Sequence, residues 1–217
     1  RQQSFILPDG ITLLGGYPTG GMGERDPHCN LTILSGDIDM NGDSTGNTFN
    51  IVKTIEYQDT IVFDGFIIEQ GNAIANGEEG GAWWDGSRTD SALLCISNTI
   101  FRENYAVLGG AFYGEGTRDL KILASEFYEN TAAERGGAVY FQPVDNMFDS
   151  AFTRMENVLL HHNTASVNGG AIAISFHPNI SLDIVHATFS DNSPDVLNKA
   201  TVGPARIRNS IIWNNIS

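Results

Sequence analysis

"LCISNTIFRENYAVLGGA" (Leu94–Ala111) and "LKILASEFYENTAAERGGA" (Leu120–Ala138) contain the same two words in the same order, Phe-x-x-Asn and then Gly-Gly-Ala. Working outward from this pair, Gly-Gly-Ala recurs at Gly80, Gly109, Gly136 and Gly169, at spacings of 29, 27 and 33 residues. The other word, an apolar residue three positions before an Asn, recurs with Phe101 and Asn104, Phe127 and Asn130, Leu160 and Asn163, Phe189 and Asn192, and Ile212 and Asn215. Self-similarity at a period of this size is the mark of stacked repeats.

Aligning the Asn residues turns the repeats into columns. Eight positions earlier stand Ile96, Ile122, Met155, Ile184 and Ile207; ten positions earlier stand Leu94, Leu120, Thr153, Leu182 and Ala205. Apolar columns two residues apart describe a strand with one buried face, whereas a helix would show spacings of three and four. The segment from Thr60 to Gln70 fits this register with Val62, Ile67 and Gln70 as a further coil, and "ITLLGG", "LTILSG" and "FNIVKTI" read as strands of earlier coils. Three strands of about five residues with connections of about two to six require roughly 21 to 33 residues per coil, which matches the observed spacings. A propeller blade would need roughly 40 to 50 residues. The expected fold is all-β, a right-handed parallel β-helix of roughly eight coils in a single domain over residues 1–217, irregular in 1–60 and regular in 61–217.

The residue types suit that stacking. Coils about 4.8 Å apart place each side chain on its counterpart, so Phe on Phe and Ile on Ile fill a continuous core, each buried side chain contributing roughly 1.5 to 3 kcal/mol. Asn104, Asn130, Asn163 and Asn192 are expected to take the left-handed conformation at a bend and to form an amide ladder, each donating to one neighbour and accepting from the other. Gly109, Gly110, Gly136, Gly137, Gly169 and Gly170 are expected to supply positive φ and close backbone approach at the next bend. These are turn roles, not catalytic ones.

Twenty-six acidic against twelve basic residues give a net charge of −14, a field that repels nucleic acid and anionic membrane. No nucleic-acid partner is expected. The apolar run "TIVFDGFII" (Thr60–Ile68) is broken by Asp64 and Gly65 and falls well short of the roughly 18 apolar residues of a spanning helix, so no transmembrane segment is expected. Cys29 and Cys95 would form one disulfide only if the fold brings their Cα atoms within bonding range.

The alternating Phe-x-x-Asn and Gly-Gly-Ala-apolar words resemble the repeats of the polymorphic outer-membrane protein family. That resemblance implies a β-helical passenger displayed on a bacterial surface and acting as an adhesin. The opening, "GITLLGGYPTG", "LTILSGDID" and "TIVFDGFIIEQGNA", is similar to the first coils of secreted bacterial β-helix proteins that often carry a C-terminal sorting or anchoring module. The last coil, "NSIIWNNIS", lacks the polar cap that a terminal repeat needs, and the expectation is a fragment of a longer exported protein.

Four features invite chemistry. Asp37, Asp39, Asn41 and Asp43 alternate around Gly42 like the first half of a calcium loop, but Thr48 stands where the chelating Glu would be; the choice is between calcium and a solvated acidic turn. The residue before each ladder Asn or its equivalent is Glu69, Glu103, Glu129, His162 or Asp191, an acidic edge that water screens or a cation occupies. Trp84, Tyr113 and Tyr140 follow an inward column of Trp83, Phe112 and Val139 and so form an outward aromatic stripe, able to stack on sugars or to cover turns. His161 and His162, as strand neighbours, should point to opposite sides and share no metal.

The leading functional reading is a non-enzymatic extracellular or cell-surface scaffold or adhesin. It would present loops and an acidic, aromatic-bearing face to a glycan, a surface protein or another subunit of a surface assembly. The alternative is a polysaccharide lyase or glycoside hydrolase using Glu103, Glu129 or Asp191, since carboxylates on adjacent and alternate coils fall within the roughly 5 to 9.5 Å such chemistry needs. Lys and Arg are few and scattered, which weighs against an enzyme acting on acidic polysaccharides.

Overall fold

Strands form where the alternating columns place them, and each pairs in parallel with its counterpart one turn away. The computed structural model describes residues 4–86, 93–116, 119–142, 151–175, 180–200 and 203–216. Its described strands make three seven-stranded sheets and one three-stranded sheet, all parallel. The first sheet contains Trp83–Gly86, Phe112–Glu115 and Val139–Gln142. The second contains Leu93–Ser97, Asp119–Leu123 and Ala151–Glu156, and the third Ile100–Arg102, Glu126–Tyr128 and Leu159–His161. A short fourth side is formed by Tyr105–Leu108, Thr131–Arg135 and Thr164–Ala165. The described strands visit the three long sheets in fixed rotation, a parallel β-helix with seven turns among the described residues.

Seven turns replace the roughly eight expected. The first turn is long: Phe5 pairs with Val52, whereas Phe112 pairs with Val139. Two insertions lengthen it, one after Leu14 and one after Ser35. The first is clamped by Arg25, whose Nε donates to the Gly15 carbonyl at 2.7 Å and whose guanidinium pairs with Asp64. Asp64 also accepts from the Ser97 hydroxyl and, at 2.7 Å, from the Asn98 amide, so one buried carboxylate ties the insertion to two turns.

The core columns are those read from the sequence. Ile122 pairs with Ile96 and Met155, and Phe127 with Phe101 and Leu160. The Phe101 and Phe127 rings stack at 4.5 Å and 5°. Trp83, Phe112, Val139 and Ile172 fill the first sheet's inner side.

The segment from Thr60 to Gln70 lies one residue out of the expected register. Phe63, not Val62, pairs with Ile96, and Ile68, not Ile67, pairs with Phe101. Ile61, Phe63 and Ile68 are buried in the core, because a one-residue slip exchanges the two faces of a strand. Glu69 therefore pairs with Arg102 and leaves the acidic edge, where Gln70 takes its place.

The ladder forms as expected. Asn104, Asn130, Asn163 and Asn192 are fully buried, and each Nδ2 donates to the next Oδ1 at 3.0, 3.0, 2.9 and 2.8 Å, ending on Asn215. The left-handed residue is not the Asn but the one before it: Gln70, Glu103, Glu129, His162 and Asp191 all have φ near +55° (61, 53, 55, 54 and 56°). The bend turns one position early and aims the following amide inward, where it satisfies a backbone carbonyl of the neighbouring turn as well. Gly109, Gly136 and Gly169 do have positive φ, while Gly110, Gly137 and Gly170 give the close approach. Cys29 and Cys95 are both free thiols, the first exposed and the second half-buried, and burial pushes the Cys95 thiol up.

Candidate functional site

A parallel sheet whose inner side is filled presents its other side as parallel columns of side chains. On the third sheet, one outer column runs Glu69, Arg102, Tyr128, His161, Ser190 and Trp213. Beside it stand Ile100, Glu126, Leu159 and Thr188. These groups bond along the helix axis. Arg102 Nε donates to Glu69 at 2.7 Å and its Nη1 to the Tyr128 hydroxyl at 3.0 Å. Those contacts, the Tyr128 bond first, push the guanidinium further up from its usual range. The Tyr128 ring stacks on His161 at 5.1 Å and 11°, and His161 Nε2 meets Glu126 at 2.9 Å. The result is a strip of hydrogen-bonding edges spaced by the turns. The sequence already contained it, one position after the Phe column, but the position carried no repeated residue type and so gave no signal.

The left-handed position after this column holds Glu103, Glu129, His162 and Asp191. Glu103 and Glu129 stand on adjacent turns, and His162 separates Glu129 from Asp191, which accepts from Asn214. The candidate carboxylates thus line one edge, and they are not all neighbours.

Two histidines expected to diverge come together. His162 lies at the bend with φ of +54°, so strand alternation ends at His161 and the rings meet, Nδ1 to Nδ1, at 2.8 Å.

Trp84, Tyr113 and Tyr140 do form a column on the first sheet's outer side, yet it is covered. Tyr113 and Tyr140 are 6% and 3% exposed, and their rings stack at 5.8 Å and 4°. Trp84 and Leu108 pack against them, and Lys53 Nζ lies 5.7 Å from the Trp84 ring. The Tyr113 and Tyr140 rings face each other and are buried, while Trp84 is only partly buried.

The acidic loop is similarly self-satisfied. Asp37 accepts from the Asn41 and Gly42 amides at 3.2 and 3.0 Å, Asn41 Oδ1 from the Asp43 amide at 2.9 Å, and Asp43 from the Thr45 amide at 2.7 Å. The Thr45 hydroxyl bond, the largest cause, holds Asp43 below the usual carboxylate range. Among the described residues no three His, Cys, Asp or Glu side chains come together as a group that could hold a metal ion.

One carboxylate is unfavourably placed. Glu79, partly buried next to Glu78 and Glu115, has its carboxyl pushed up, by burial first and by its two acidic neighbours after. A carboxyl raised in the fold withdraws stability above its unfolded range and restores it as pH falls through the folded one. Glu79→Gln therefore raises the melting temperature by a few degrees at neutral pH, and the gain fades in mild acid as the parent protonates. Thermal unfolding followed by circular dichroism at both pH values checks this, and identical neutral-pH curves would exclude it.

Residues 124–142, which hold one Phe-x-x-Asn word and one Gly-Gly-Ala-Val word, match the Chlamydia polymorphic membrane protein (Chlamydia_PMP) repeat. The chain is a β-helix repeat protein with a repeat like that of the polymorphic membrane proteins. No curated protein and no solved structure matches it. The matched repeat spans the third-sheet strand with Phe127, the buried Asn130 and the Gly136–Gly137 bend. The two words it contains are the turn and core positions of one coil, while the outer position at Tyr128 holds Arg102 and His161 on the turns either side. No helix of the described residues is long and apolar enough to cross a membrane.

Proposed function

We propose that this chain is the rod of a cell-surface β-helix adhesin, which binds a hydroxyl-rich glycan or a surface protein along the outer face of its third sheet. One observation carries the reading: Glu69, Arg102, Tyr128 and His161 are bonded into a single axial strip whose hydrogen-bonding edges follow the turns. The axial bonds and ring stack hold the side chains in place, so little rotamer freedom is lost when a partner docks. The polymorphic membrane protein repeat supports display at a bacterial surface. The net charge of −14 supports a partner other than nucleic acid or anionic lipid.

A glycan array and a panel of immobilised surface proteins test the reading. Binding should appear on one of them and fall about tenfold or more in the Arg102→Ala, Tyr128→Ala double variant, as for residues central to an interface. Binding that the double variant retains in full would move the site elsewhere. Incubation with pectins, alginates and neutral glycans should release no reducing ends; turnover abolished by Glu103→Gln or Glu129→Gln would make the chain an enzyme.

A further inference from the structure

We infer that the partner of the third sheet's outer strip is a neutral polysaccharide of equatorially linked pyranose rings, laid along the helix axis with one ring to each turn. This rests on the reading of that strip as the binding face, and it narrows the partner to one kind of sugar. The backbone comes first. Glu69, Arg102, Tyr128, His161 and Ser190 are successive Cα partners in parallel pairs without a register shift. Each turn therefore presents one polar side chain, about 4.8 Å from the next along the axis.

Two residues earlier in each strand a second outer column runs beside the first, through Ile100, Glu126, Leu159 and Thr188. Ile100, Leu159 and Thr188 are only half-buried, so their carbon atoms stay within reach of a ligand. The strip is thus two-sided across its width, with hydrogen-bonding groups on one side and mostly aliphatic carbon on the other. A pyranose chair with equatorial substituents has the same division: hydroxyls around its rim and C–H bonds on its faces. The Arg102 bonds to Glu69 and Tyr128, and the stack of Tyr128 on His161, hold the polar side still, which limits the entropy lost when a ligand docks.

Period separates the ligand classes. In an extended chain of equatorially linked rings, each ring advances by close to the rise of one turn, so successive rings meet equivalent pairs of side chains. A chain with axial linkages coils and leaves the line. An extended peptide turns the same side toward the sheet about every 6.6 to 6.8 Å, and it falls out of step with the turns at once. Charge separates the sugars. The strip's guanidinium is already committed to Glu69 and Tyr128, and Glu126 bonds to His161. Glu103, Glu129 and Asp191 follow the strip at the adjoining bend and repel carboxylate or sulfate groups. An uncharged sugar meets no such cost.

Calorimetric titration with cello- and chito-oligosaccharides of two to six rings, with maltohexaose as the axially linked control, tests the inference. Affinity should climb with ring count, the hexamers binding at least about tenfold tighter than the dimers, and maltohexaose should bind at least about tenfold more weakly than cellohexaose. Leu159→Asp, which charges the aliphatic column and removes no hydrogen bond of the strip, should weaken the hexamers about tenfold with a melting curve that shows the fold intact. Heat-silent titrations with all the oligosaccharides, equal affinity for maltohexaose, or a gain that stops at two rings overturns the ligand class. In each of those cases, binding of a surface protein or another glycan that the Arg102→Ala, Tyr128→Ala double variant loses keeps the strip as the binding face. Cellohexaose affinity that the double variant retains in full overturns both.

Discussion

Replacing Asn163 by alanine is expected to cost about 4 kcal/mol, from four hydrogen bonds each contributing roughly 0.5 to 1.5 kcal/mol. Its Oδ1 accepts from the Asn130 backbone amide at 3.2 Å and from the Asn130 side chain at 3.0 Å. Its Nδ2 donates to the Phe127 carbonyl and to Asn192 Oδ1, both at 2.9 Å. All three ladder residues are fully buried, so water cannot replace what the substitution removes. Asn163→Asp should be worse at neutral pH despite its matched size. A buried carboxylate would face two acceptors, and its pKa would rise. The loss should then shrink as pH falls and the new acid protonates, because a raised folded pKa restores stability on the acid side. Equilibrium denaturation across pH measures both variants, and hydrogen exchange on the strands around Phe127 and Leu160 locates the damage. A cost under about 1 kcal/mol for Asn163→Ala, the size of one ordinary bond, would mean that the ladder is ornamental.

Gly137→Ala should also be severe, more than about 3 kcal/mol, the upper range for an overpacked interior. A Cβ at Gly137 would lie 2.1 Å from the Gly170 carbonyl oxygen and 2.7 Å from the Thr164 nitrogen. Both obstacles are backbone of the next turn. Neither can rotate away as a side chain would, and turns held about 4.8 Å apart by ladder bonds on every sheet cannot open at one corner. Loss of exchange protection should therefore begin at the interface between the turns bearing Gly137 and Gly170 and spread along the stack. Gly42→Ala is the control. That glycine has φ of +75° but nothing within 4 Å, so it carries only the left-handed penalty, about 1 kcal/mol. Equal costs at the two positions would show that conformation, and not approach distance, governs these glycines.

Much of the solenoid was legible because stacking makes sequence positions into spatial columns. Ile96 over Ile122 and Phe101 over Phe127 are required by a turn spacing that leaves no room for mismatch. Legibility failed where two registers look alike. "TIVFDGFII" places apolar residues on both parities, so Val62 with Ile67 and Phe63 with Ile68 satisfy the same pattern, and only pairing with Ile96 and Phe101 separates them. The turn count failed because insertions consume length without adding a strand.

The candidate site was less legible than the fold. Trp84, Tyr113 and Tyr140 were placed on the correct side of their sheet, but exposure depends on what packs over that side, here Leu108 among others. Asp37 and Asp43 had the spacing of ligands and were turned inward to their own loop amides. Arg102, Tyr128 and Glu126 repeat no word and were invisible to a search for repeats.

From the sequence alone came the parallel coil, its core columns, the Asn ladder and the glycine corners, since each of these requires a particular side chain to recur at a period fixed by backbone stacking. The tertiary structure alone decided which residue before each Asn bends left-handed, which aromatics are covered, and that His161 and His162 face each other. Those outcomes depend on the direction in which one residue leaves its strand and on what a neighbouring turn packs against it, and periodicity contains neither.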